Sequence, residues 1–269
     1  MITLLRRLVV AGMLAMLVAS AANAAEQVVE VPTRAGHFVR AIVIAPESTP
    51  SAAVILLSGG DGLLNITPDG RITSGANNQV VRTRADYARA GFLTLVPDIA
   101  DNLKAGNKGV VNGYRWSPEH AEDIGALVIW LRAKTAKVHL VGTSRAALSV
   151  ANAATRLEGA ARPDTIVITS GMLMQVNNKQ PSVERSVGNL DRITMPVFLM
   201  YHQDDACVVT PPGKVLPFKA LLTKAARVDV TMLSGGRTQG DPCEAMSYHG
   251  YLGIDGDVVK AVTTWLNSH

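Results

Sequence analysis

Aromatic side chains are scarce, at 4% of the 269 residues, and there are only two cysteines. With so few rings, Val, Leu, Ile and Ala must fill the core, and a 48% hydrophobic composition supplies them. No internal repeat, low-complexity tract or block of like charges occurs. A formal charge of +4 falls to +2 without Arg6 and Arg7. That is no footprint for nucleic acid, whose partners carry a clustered basic face. The longest apolar stretch near the start, Leu8 to Ala19, is 12 residues long. A membrane span needs roughly 18–20. It lies between Arg6-Arg7 and Ala22-Asn23-Ala24, the layout of a secretory leader with cleavage expected after Ala24. No cysteine sits near that point for a lipid anchor. The expected product, residues 25–269, has no Pro- or Gly-rich linker and reads as one exported domain, periplasmic or extracellular, with no membrane span. In an exported chain, Cys207 and Cys243 are expected to pair.

What is present is an alternation of β-rich runs and helical patterns. EQVVEVP and HFVRAIVIAP predict two opening strands joined at Arg34-Ala35-Gly36. A continuous apolar run at 51–58 suits a central parallel strand buried on both faces, and 92–98, 137–142, 164–170, 196–202 and RVDVTML (227–233) read as further strands. Helices are predicted at 79–90, 118–134, from 145 to about 157, near 213–225 and at about 257–267. The clearest has Ser117 as N-cap, Pro118 at its first position and a stripe of Ile124, Leu127, Val128 and Leu131. The fold class is therefore α/β, a mostly parallel central sheet with helices on both faces. The longer irregular stretches 61–78, 99–116 and 171–195 each follow a strand. Ligands of such sheets bind beyond the strands' carboxyl ends, which makes these stretches the expected pocket walls.

One strand end carries chemistry. In VHLVGTSRAALSV the chain must reverse sharply from strand to helix at Ser144. The residues two before and two after then come close together, and Gly142 and Ala146 are small. A hydroxyl on such a turn projects above the sheet beside a helix N-terminus, as in the nucleophile elbow G-x-S-x-G, here with Ala146 in the last place. A serine nucleophile needs a base. Of the six histidines, His139 lies in a strand, His37 opens one, His202 ends one, His120 is in a helical first turn and His269 is terminal. His249, in the loop SYHGYLGID between the last strand and last helix, is best placed to swing over the strand ends. Asp204 and Asp205, just past strand 196–202, are the candidate acids. A Cys207–Cys243 bridge would tie their loop to the histidine loop. The order Ser, Asp, His is the one expected of this kind of sheet. An oxyanion would need backbone donors. One is the Arg145 N–H, and the second is drawn from SGGDG, with Gly60 first and Asp61 next. Ser58-Gly59-Gly60 is no phosphate loop, because the Lys-Ser/Thr of that motif is missing.

Through the SGGDG turn, GTSRA, HQDDAC and CEAMSYHGY, the chain resembles the α/β-hydrolase superfamily over roughly residues 30–269. The likeness is to the small, dienelactone-hydrolase-like form without a large cap domain. In similar proteins the acid segment reads His-x-x-Asp-x-Cys, matching His202, Asp205 and Cys207, and this favours Asp205. The resemblance implies a serine hydrolase acting through Ser144, His249 and Asp205 on a small-molecule ester or related acyl compound, with no cofactor and no metal. Three rivals stay open: a catalytically silent binding protein, an acyltransferase using the same residues, and a metal site built from His202, Asp205, Cys207, Cys243 and His249. Tyr114, Trp116, Met172 and Met174 are expected either to form an apolar acyl site or to pack in the core.

Overall fold

The computed structural model describes residues 25–103 and 113–269. The expected leader and residues 104–112 of the 99–116 stretch lie outside the described residues. The opening hairpin forms as its residues predict. Strands β1 (Glu26–Pro32) and β2 (Phe38–Ile44) pair antiparallel across a turn in which Gly36 takes φ +76°. The apolar runs become β3 (Ala52–Leu57), β4 (Phe92–Ala100), β5 (Val138–Thr143), β6 (Thr165–Thr169) and β7 (Val197–His202), with β8 (Val228–Leu233) at the far edge. The sheet order is β1-β2-β4-β3-β5-β6-β7-β8. β2 runs antiparallel to both neighbours, and every pairing from β4 to β8 is parallel.

The helices are α1 (Gln79–Arg82), α2 (Arg84–Arg89), α3 (Pro118–Arg132), α4 (Ala146–Arg156), α5 (Val183–Ser186), α6 (Val215–Leu221) and α7 (Asp255–Leu266). Alternate strand residues face opposite ways, so the sheet builds two core layers. Ala53, Ile55 and Leu57 join Ile124, Leu127, Val128 and Leu131 of α3, with α4 and α6, on one side. Ala52, Val54 and Leu56 join Val80, Tyr87, Val258 and Val262 of α1, α2 and α7 on the other. Ser117 caps α3 by accepting the His120 N–H at 3.3 Å.

Two expectations need correction. The helix expected over 79–90 is broken at Thr83 (φ −96°, ψ 4°), whose hydroxyl bonds back to the Gln79 carbonyl at 2.8 Å. Such back-bonding competes with the regular ladder. The helix near 213–225 is confined to α6, after a 3-10 turn at Pro212–Lys214. Among the described residues, no helix is long and apolar enough to cross a membrane.

Candidate active site

Ser144 leaves β5 with φ +56°, in the left-handed region that side chains other than glycine rarely occupy. Its neighbours hold it there. Its N–H donates to Thr169 O of β6 at 2.9 Å, and its carbonyl accepts from Ala147 N at 3.1 Å and Met172 N at 3.3 Å. The turn is tight enough that a Cβ on Gly142 would lie 2.5 Å from Val150 Cγ2 and 2.9 Å from Ala146 O. Ala146 itself is fully buried. The 142 and 146 positions do meet, as the motif requires, and a methyl fits on one side only. A second strand end closes in from β3: a Cβ on Gly59 would stand 3.0 Å from Ser144 Cβ.

The long excursion from β8 to α7 brings His249 over the same edge. Two residues on, Tyr251 anchors that loop. It is fully buried, its hydroxyl donates to Met200 O at 2.8 Å, and it accepts from Ser170 Oγ at 3.0 Å. Arg82 of α1 holds the loop from outside, donating to Ala245 O and Gly250 O while pairing with Asp255. His249 is 4% exposed, and its Nδ1 lies 2.9 Å from Asp205 Oδ2. Asp205 also accepts from Cys207 N at 2.9 Å and from the Thr210 hydroxyl at 3.1 Å. The Thr210 oxygen is itself 3.1 Å from His249 Nδ1. The Nε2 atom of His249 is buried and has no hydrogen-bond partner among the described residues. Asp204 turns away, with its side chain 55% exposed. The sulfurs of Cys207 and Cys243 lie at bonding distance, 2.07 Å, and join the two loops.

Three of the five residues of the metal rival are engaged with other partners. The two cysteine sulfurs bind each other, and His202 uses Nε2 on Gly235 O at 2.8 Å and Nδ1 on Asp204 N at 3.1 Å. Its ring stacks on Tyr248, beside His249.

The turn after β3 supplies backbone to the site. The N–H groups of Gly60, Asp61 and Arg145 donate to no other described residue. Behind this turn is a residue the sequence did not single out. Arg115, only 2% exposed, donates to Ser58 O at 2.8 Å, to Gly59 O and Gly60 O at 3.2 Å each, and to Ser149 Oγ of α4 at 2.7 Å. Burial, and then the like charge of Arg145, push its pKa down, while Asp61 opposes them. Thr210, Tyr251 and Arg82 are further residues of this kind. None has a local pattern that distinguishes it.

Ser144, Arg145, His249 and Gly60 line one cavity of about 500 Å³. Its outer wall comes largely from the 61–78 stretch, including Leu63, Ser74, Asn77 and Asn78. The 171–195 stretch contributes Met172 only. Of the two expectations for Tyr114, Trp116, Met172 and Met174, core packing prevails for all but Met172. Tyr114 donates to Asp123, while Trp116 and Met174 pack against the core.

No known sequence family matches the chain, and no curated protein does. Solved structures do match. A dienelactone hydrolase from Anabaena variabilis superposes with a TM-score of 0.64 at 13% identity, covering 92% of this chain and 99% of its own. The esterase Pf2001 of Pyrococcus furiosus gives 0.61 at 14%, covering 91% and 90%. Brefeldin A esterase, described as a bacterial homologue of human hormone sensitive lipase, gives 0.64 at 15%, covering 94% and 79%.

Proposed function

We propose that this chain, which has the α/β-hydrolase fold, is an exported serine hydrolase that cleaves a carboxylic ester or related acyl bond of a small molecule. The observation that carries the reading is the buried His249–Asp205 contact, with His249 Nε2 unpartnered among the described residues and the residue itself lining the same cavity as Ser144 on its left-handed turn. In this reading Ser144 Oγ attacks the carbonyl carbon and its proton passes to His249 Nε2. Asp205 accepts the Nδ1–H bond, fixing the tautomer and stabilising the imidazolium. The oxyanion accepts hydrogen bonds from the N–H groups of Arg145 and Gly60. Collapse expels the alcohol, which takes the proton from Nε2. Water then gives a proton to Nε2 as it attacks the acyl carbon, the bond to Ser144 Oγ breaks, Oγ takes that proton back, and the acid leaves. The leader-like start supports export, as does the joined cysteine pair, since such bonds persist in oxidising compartments.

The test combines labelling with turnover. A fluorophosphonate should label the wild type and not Ser144→Ala, and that variant should lose ester hydrolysis by about 10⁴–10⁶-fold. Asp205→Asn should cost about 10⁴-fold, and Asp204→Asn little. An unlabelled wild type would favour a silent binding protein, and near-normal hydrolysis by Ser144→Ala would remove the assignment.

A further inference from the structure

The geometry points to Arg115 as a positioning residue that sets and polarises the oxyanion donors, a role that rests on the serine hydrolase reading above. Its Nη2 lies within hydrogen-bond distance of three successive carbonyls, those of Ser58, Gly59 and Gly60, which share its two N–H groups. In a trans peptide the C=O and the N–H of the next residue point in opposite directions. Drawing the Gly59 carbonyl inward therefore turns the Gly60 N–H outward, and drawing in the Gly60 carbonyl does the same for the Asp61 N–H. Both residues face the cavity, and neither N–H is bonded elsewhere among the described residues.

The fourth contact joins the other half of the hole. Ser149 Oγ belongs to α4, the helix that starts immediately after Ser144 and Arg145. One planar group is thus bonded both to the turn that carries Gly60 and to the helix whose start carries the Arg145 N–H. The two terminal nitrogens of arginine's rigid fork divide the task, Nη2 on the turn and Nη1 on Ser149.

Burying a cation is costly unless it is paired, and among the described residues Arg115 makes no ion pair with a carboxylate. Scaffolding alone would be met more cheaply by neutral donors. The charge has a use, however. A carbonyl that accepts a charge-assisted bond makes its own amide N–H a stronger donor, because hydrogen bonds in a chain polarise one another. The Gly60 and Asp61 amides then meet a developing oxyanion already polarised.

The test measures kcat per fluorophosphonate-titrated site for wild type, Arg115→Lys, Arg115→Gln and Arg115→Met, and inhibition by an aryl trifluoromethyl ketone, whose hemiketal mimics the oxyanion. Removing one oxyanion donor costs about 10²–10³-fold in kcat, so Arg115→Met should fall by about 10²-fold per titrated site with KM little changed. Ketone affinity should fall in parallel. Arg115→Lys should recover part of both, and Arg115→Gln less. A purely structural role would lower the titrated fraction and leave kcat per site intact. That result, or a loss confined to KM, overturns the proposal. If Arg115→Met does not fold, the order Lys above Gln in kcat per site carries the test, and equality of the two overturns it. A wild type that takes no label and turns over no ester overturns the serine hydrolase reading instead.

Discussion

Replacing Gly142 with Ala probes the elbow through a single methyl group. Its Cβ would sit 2.5 Å from Val150 Cγ2 and 2.9 Å from Ala146 O. Ordinary carbon contacts are about 3.5–4.0 Å, so the start of α4 must retreat from β5 by about 1 Å. Overpacking of this kind costs about 1–3 kcal/mol. Ala also restricts the unfolded chain and returns about 0.4–1 kcal/mol. The clash wins, leaving a net loss of about 1–2 kcal/mol, or about 2–8 °C in Tm for a chain of this size. Activity should suffer more than stability. Ser144 hangs between β5 and α4, and misplacement by 1 Å can cost about 10²-fold. Thermal melts and ester turnover per titrated site measure the two effects. Ala146→Gly is the control, because removing a methyl that already fits creates no clash, and turnover should survive. Gly59→Ala places its Cβ 3.0 Å from Ser144 Cβ and 3.2 Å from Thr143 O, so it should lower turnover too. Gly142→Ala with wild-type Tm and turnover would refute the reasoning about the turn.

The disulfide and a buried histidine give two further outcomes. Cys207 and Cys243 are 36 residues apart, and closing a loop of that length restricts the unfolded chain by about 4 kcal/mol in the chain-entropy model. The double Cys→Ser variant should lose about that much in urea titrations, along with turnover, because the bond joins the Asp205 and His249 loops. A loss below about 1 kcal/mol would contradict the entropy argument. His139, 1% exposed, has its pKa lowered to about 4, chiefly by burial. An unfolded histidine titrates near 6.5, so between those values the unfolded chain binds more protons, and stability is lost as pH falls from about 6.5 towards 4. The loss amounts to about 3 kcal/mol. His139→Asn should show a correspondingly shallower pH dependence in urea titrations at pH 7 and 4.5. An unchanged slope would assign the acid lability to other groups.

Much of the fold can be read along the chain because its causes are local. A strand buried on both faces must be apolar at every position, as Ala52–Leu57 and Val197–His202 nearly are. The Ser144 turn is equally legible, since backbone that crosses itself within five residues demands small neighbours. Other features have no local cause. Neighbouring aspartates carry the same charge at almost the same place, and only the packed turn buries Asp205 against His249 while leaving Asp204 exposed. Arg115 reads as one surface cation among 26 basic residues, because the carbonyls it holds lie 55 to 57 positions away. Thr210 and Tyr251 are ordinary loop residues until strand order places them. The sequence by itself determined the layered α/β plan, the strained serine and the residue types available for acyl chemistry, because hydrophobic periodicity and turn sterics act between neighbours. Only the tertiary structure decided which carboxylate meets the imidazole and which cation stands behind the turn after β3. Those contacts depend on the order and register of strands far apart in the chain.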